Sequence, residues 1–239
     1  MNAVLAQRKY HLAARLANDT ARTLGLWLTA AFVVLVVTSA ILDAATEGQT
    51  EELATYVLLA LPIAMFLAGW LHLSKGYPLA IVHGFTRKEF LAGFALYGLA
   101  TVVTAAALTQ AGRLILEHLP TADSEIGFYG RGPLDSLARS ALWFTVGAAA
   151  GAAKLRFPGR RLGVLASALL VAAVVYRPVA ISLMRNLAQD TPFGDGTLVE
   201  VPVEMTMNHL ALIDLAFTVP LALLTWALLA RAPMHPKSA

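Results

Sequence analysis

Cysteine is absent from this chain, and only 14% of its 239 residues are charged. Without thiols, neither a disulfide framework nor a thiolate metal centre is possible. An ordinary soluble domain is about 25% charged and about 45–50% apolar, whereas 58% of this chain is hydrophobic. The formal charge of +3 is too small to point to a nucleic-acid partner. Three catalytic signatures are also missing: the Gly-x-x-x-x-Gly-Lys-Ser/Thr phosphate loop, His-Glu-x-x-His and Gly-x-Ser-x-Gly. The paired acids Glu51 and Glu52 lack the arginine that an intramembrane protease motif of that type needs, and His72 and His83 are isolated and read as interfacial. An enzyme is therefore not expected, nor a cofactor bound by this chain. The start, MNAVLAQRKYHLAARL, does not fit a cleaved signal peptide, because the apolar run from Leu24 is too long and no small-x-small site precedes Asp43.

What the sequence has in abundance is apolar runs of bilayer length, about 20 residues each. Leu24–Leu42, Leu53–Leu71 and Phe90–Gly112 are free of charge. Ser136–Ala153 carries Arg139, Leu162–Met184 carries Arg177 and Pro178, and Asn208–Ala230 carries Asp214 and Pro220. Lipid leaves only helices or closed barrels able to satisfy the backbone, and these blocks lack barrel alternation. The expectation is an all-α membrane protein: a single transmembrane domain, residues 1–239, with six transmembrane helices.

Sorting the 18 Lys and Arg residues onto alternate sides of six spans leaves Arg113, Arg131, Arg139, Arg177 and Arg185 on one side and the other thirteen opposite. The acids fall mostly with the smaller group. Since cytoplasmic segments carry the basic excess, both termini are expected in the cytoplasm of a multi-pass cell-membrane protein. In residues 1–22, Leu5, Leu12 and Leu16 lie at helical spacing beside Arg8, Lys9 and Arg15, as in an amphipathic interfacial helix; a flexible basic tail is the alternative.

Between the second and third spans lies LSKGYPLAIVHGFTRKEF. The Tyr77-Pro78 step is expected to interrupt the helix, with Leu79 to His83 forming a short surface helix that Gly84 ends in the left-handed conformation. Thr86 is positioned as the N-cap of the third span, with Glu89 completing a capping box and Arg87 and Lys88 facing the cytosol. These residues suit two roles: topological anchoring of a helix start, or docking of a partner.

Other candidates are intramembrane or external. Arg177 and Asp214 are ionisable groups inside spans, where charge is costly and marks function or a structural pair; Arg177 is placed to snorkel, and Asp214 to pair with Arg177 or Arg139. Thr101, Thr104 and Gln110 are expected to bond within the bundle or line a route for substrate. Gly147 and Gly151, four apart, form a small-residue face for helix packing. In the external segment 185–207, Val199, Val201, Val203 and Met205 alternate with polar residues or Pro202, which suggests an extended piece.

The segment HGFTRKEFLAGF, residues 83–94, resembles the Gly-hydrophobic-Ser/Thr-Arg segment of ABC-2 type transporter permeases, the membrane subunits of bacterial ABC exporters. The basic amphipathic start, the six-span layout and the long connection before the last span are similar too. The resemblance implies that His83, Gly84, Phe85, Thr86, Arg87, Lys88 and Glu89 couple to a separate ABC ATPase subunit, which would hold ATP and magnesium. It further implies a second permease copy, as homodimer or heterodimer, and export of an amphipathic or hydrophobic substrate such as an antimicrobial peptide, a drug or a lipid. The competing class is an autonomous six-span secondary transporter or membrane interaction protein. Scarce midplane charge and the lack of an internal repeat favour the permease.

Overall fold

A computed structural model describes residues 2–46, 55–117, 132–157, 160–175 and 203–230. Apart from the turn at 83–86 and single residues at helix ends, these residues are all helical. The helices are α1 (Asn2–Thr20), α2 (Leu26–Thr46), α3 (Thr55–Val82), α4 (Arg87–Glu117), α5 (Pro133–Arg156), α6 (Arg160–Val175) and α7 (Val203–Ala230). Among the described residues, three stretches, Gln7–Thr38, Arg87–Ile115 and Ala211–Ala230, are long and apolar enough to cross a membrane. Large apolar side chains such as Trp27, Val34, Ile41, Leu223 and Trp226 stand more than half exposed on these helices. Water would penalise such a surface, whereas lipid does not. The chain is a membrane protein.

The direction of each helix follows from a few contacts. Gln110, late in α4, donates to the Gly132 carbonyl (3.2 Å) and the Ser136 hydroxyl (2.6 Å) at the start of α5, so α4 and α5 are antiparallel. The guanidinium of Arg87, the first residue of α4, donates to the carbonyl of Ala230, the last of α7. Hence α5 and α7 run the same way. The end of α3, the start of α4, the end of α5, the start of α6 and the end of α7 share one end of the bundle. That end carries Lys75, Arg87, Lys88, Lys154, Arg156, Arg160 and Arg161 and is called the basic end below.

At the centre stands α5, packed against α3, α4, α6 and α7. Its run from Val146 to Ala153 is buried throughout, because alanine and glycine let neighbouring backbones approach. A Cβ on Gly147 would lie 2.8 Å from the Phe66 carbonyl carbon and closer still to its oxygen, and one on Gly151 would lie 3.1 Å from the Trp70 oxygen. Lipid-embedded helices associate largely through such close packing. Beside this seam, Phe90, Phe94, Tyr97 and Phe144 form a chain of ring contacts at 5.5–5.9 Å, partly stacked and partly edge-on, which fastens α4 to α5.

Several sequence expectations change. Pro78 does not interrupt the helix, since α3 continues through it to Val82. The lost hydrogen bond is offset by packing: Tyr77 and Ala80 are buried, and Tyr77 meets the Phe90 ring edge-on at 5.3 Å. The amino terminus is not a flexible tail. It forms α1, which passes through a π-helical turn at Ala21–Gly25 into α2 with helical geometry on both sides. The rod from Asn2 to Thr46 is about 65–70 Å long at 1.5 Å per residue, over twice the hydrocarbon thickness, about 30 Å. Its first half turns Leu12, Ala13, Leu16 and Ala17 towards the α3–α4 aromatic core, so this apolar face is covered by protein. Val203 and Met205 lie in α7, which corrects the extended reading for them: a helix satisfies its backbone within the segment, whereas a lone extended piece beside an apolar run would not. Val199, Val201 and the rest of 185–202 lie outside the described residues, as do Arg177, Pro178 and Met184.

Candidate functional site

The turn between α3 and α4 is built as the sequence suggests in its second half. Gly84 has φ +74°, the left-handed conformation that only glycine takes at little cost, and its N–H donates to the Ile81 carbonyl (3.0 Å). The Phe85 N–H donates to the Ala80 carbonyl (3.0 Å). These bonds close the end of α3. Thr86 then caps α4 reciprocally: its N–H donates to Glu89 Oε2 (2.8 Å), its hydroxyl donates to the same oxygen (3.0 Å), and the Glu89 N–H lies 3.2 Å from Thr86 Oγ1. The result is a short rigid corner at the basic end, with His83, Gly84, Thr86 and Lys88 exposed.

Two arginines hold this corner from outside. Arg8 of α1 reaches the His83 carbonyl (3.4 Å) and lies over the Phe85 ring, 4.5 Å from its centroid. Arg87, expected to face the cytosol beside Lys88, donates to the last carbonyl of α7, where a cation also complements the negative end of the helix dipole. The corner thus joins α1, α3, α4 and α7. Sequence reasoning missed both contacts, since they span 75 and 143 residues.

A second polar joint ties α1 to the bundle at the π-helical turn. Thr20 Oγ1 donates to the Leu16 carbonyl (3.0 Å) and lies 2.7 Å from His72 Nε2 and 2.6 Å from Tyr97 Oη. A hydroxyl has one proton and two acceptor sites. With its proton on Leu16, Thr20 accepts from both His72 and Tyr97, and its capacity is filled. His72 is therefore a structural partner of this joint. A hydroxyl, an imidazole and a phenol at unrelated positions gave no sequence signal.

The remaining candidates divide. Thr101 and Thr104 each donate to the carbonyl four residues back (2.8 Å); Thr101 is half-buried and Thr104 exposed, so the two do not present a common buried face. Gln110 bonds across to α5, as above. Asp214 is fully buried on the α7 face that meets α5. Leu221 packs with Leu142 and Val146, so in these parallel helices Asp214 stands at about the level of Arg139, two turns outward. Nearby, Pro62, Thr109, Asp135, Ser136, Arg139 and Ser140 line a cavity of about 20 Å³, room for one water molecule and no amphipathic substrate. Among the described residues, no cluster of His, Asp and Glu is suited to a metal ion.

No protein-family model matches the sequence, and no curated protein or solved structure matches it either.

Proposed function

We propose that this chain is the membrane subunit of an ATP-driven transporter of the ABC-2 permease type, with six crossings and the basic end in the cytoplasm. Two copies bind two separate ATPase subunits and export an amphipathic or hydrophobic substrate. The observation that carries this reading is the corner at 83–89. A surface anchor needs only positive charge, whereas this corner has a left-handed glycine, a reciprocal cap and direct ties to α1 and α7. A push on exposed His83 or Lys88 would reach the neighbouring helices through direct contacts. That rigidity suits a partner that delivers movement.

The test is co-purification with the ATPase encoded nearest to this chain's gene, together with substrate-stimulated ATP hydrolysis in lipid. Gly84→Val opposes the left-handed turn, and Lys88→Glu reverses an exposed charge without touching the Arg87 tie. Both variants should reach the membrane in normal amount and lose at least tenfold in stimulated turnover. Wild-type values for both would return the corner to plain anchoring. ATP turnover by the chain alone, free of other subunits, would refute the reading altogether. The buried level of Arg139 and Asp214 is what an ion-coupled secondary transporter would use. That alternative predicts uptake driven by an ion gradient without any ATPase.

A further inference from the structure

The hairpin between α5 and α6 carries a separate feature that the coupling corner does not use. Over KLRFPGRR, residues 154–161, the sequence places Lys154, Arg156, Arg160 and Arg161 within eight positions and no acid among them. The two helices are locked at this tip. A Cβ on Gly163 of α6 would lie 3.0 Å from the Phe157 oxygen and 3.3 Å from Lys154 Cα. One level further in, Ser167 shares its hydroxyl proton between the Ala150 carbonyl of α5 (3.1 Å) and Gly163 of its own helix (2.8 Å). Lys154 and Arg161 are exposed, Arg156 is half-exposed, and Phe157, the residue after α5, is 41% exposed. The Lys154 ammonium lies over the Trp70 ring, 5.4 Å from its centroid.

These cations lack counter-charge on the helices that hold them. Neither α3 nor α6 contains an acid, and the one acid of α5, Asp135, stands at its opposite end, about 28 Å from Lys154 along the axis. Helix stability accounts for only half of the set. Lys154 and Arg156 complement the negative end of α5, but Arg160 and Arg161 occupy the first turn of α6, where a cation opposes the dipole. Four cationic residues within eight positions of the chain repel one another unless an anion from outside answers them. The apolar runs of the two helices end at Ala153 and begin again at Leu162, which sets the tip at headgroup depth. Trp70, at the end of the α3 run, marks the same level.

We propose that this tip is a binding site for anionic phospholipid. Lys154, Arg156, Arg160 and Arg161 receive the headgroup charge, and Phe157 enters the boundary between headgroups and acyl chains. The proposal requires only that the chain is a membrane protein, so it stands or falls independently of any ATPase.

The experiment uses the full chain in nonionic detergent, titrated with equal amounts of phosphatidylglycerol and phosphatidylcholine, with retained lipid counted by native mass spectrometry. Each surface cation is worth about fivefold in anionic-lipid affinity. Wild type should retain phosphatidylglycerol at least tenfold in excess, and raising salt from about 0.05 M to about 1 M should remove most of that preference through screening. Arg160→Gln with Arg161→Gln should lower the preference roughly tenfold or more, while Arg160→Lys with Arg161→Lys retains it. Phe157→Ala should weaken retention of both lipids. Equal retention of the two lipids by wild type, or a preference insensitive to salt and to the glutamine pair, would overturn the proposal. Displacement of phosphatidylglycerol by millimolar inorganic phosphate would assign the site to free phosphate instead, and so overturn it as a lipid site. The salt series needs no variant, and the outcome therefore does not depend on whether a substituted chain folds.

Discussion

Gly147→Ala adds one methyl group at the tightest point of the bundle, and the structure indicates what that methyl would meet. Its carbon would fall 2.8 Å from the Phe66 carbonyl carbon and 3.0 Å from Phe66 Cα, both backbone atoms of α3. No rotamer change relieves a clash with backbone, so α3 and α5 must separate. Separation by 0.5–1 Å already forfeits a quarter to a half of each dispersion contact along the seam, and in lipid there is little hydrophobic driving force to hold the helices together otherwise. Overpacking typically costs about 1–3 kcal/mol, and the rigid neighbour places this variant at the upper limit, about 3 kcal/mol. At about 2–4 °C per kcal/mol for chains of this size, the melting temperature in detergent should fall by about 6–12 °C. Gly151→Ala is the internal control. Its methyl would lie 3.1 Å from the Trp70 oxygen and 3.4 Å from the Leu73 side chain, a few tenths of an ångström too close, so the expected loss is at the lower limit, about 1 kcal/mol. The assay is thermal unfolding followed by tryptophan emission, with reversibility checked by a second scan. Equal losses for the two variants, or a Gly147→Ala protein as stable as wild type, would refute the claim that backbone approach at this crossing holds the bundle.

Thr20→Val removes the oxygen on which His72 and Tyr97 converge and leaves two sheltered donors without it, at about 1–3 kcal/mol. The loss should be local: trypsin should cut faster after exposed Arg15, while unfolding of the α5 core is unchanged, and an unaltered cleavage rate would show that the joint does not hold α1. For topology, single cysteines at Glu47, Asp123 and Asp195 should react with an impermeant thiol reagent from outside the cell, and the cysteine-free background makes the label unambiguous. Protection of all three positions would reverse or remove the proposed orientation.

Much of the helical architecture was legible in the sequence because it follows from local rules. Apolar runs of bilayer length without barrel alternation can only be helices, and each described run is one. The capping box at Thr86 and Glu89 and the left-handed Gly84 were readable because caps and glycine turns act over three or four residues. The spacing of Gly147 and Gly151 announced a packing face without identifying its partner. Pro78 misled, because the rule that proline breaks a helix is a local preference, and the Tyr77–Phe90 contact that overrides it is tertiary. The tertiary structure alone placed α5 at the centre, turned the apolar face of α1 onto the α3–α4 aromatics, and brought Arg8 to His83 and Arg87 to Ala230. It also joined Thr20, His72 and Tyr97 on one oxygen. Each of those contacts links residues far apart in the chain through a single bond or ring, and such a pairing leaves no periodicity behind. Local rules therefore determine which segments become helices and how they begin and end, while the choice of neighbour is made by close packing and by the need of each sheltered polar group for a partner.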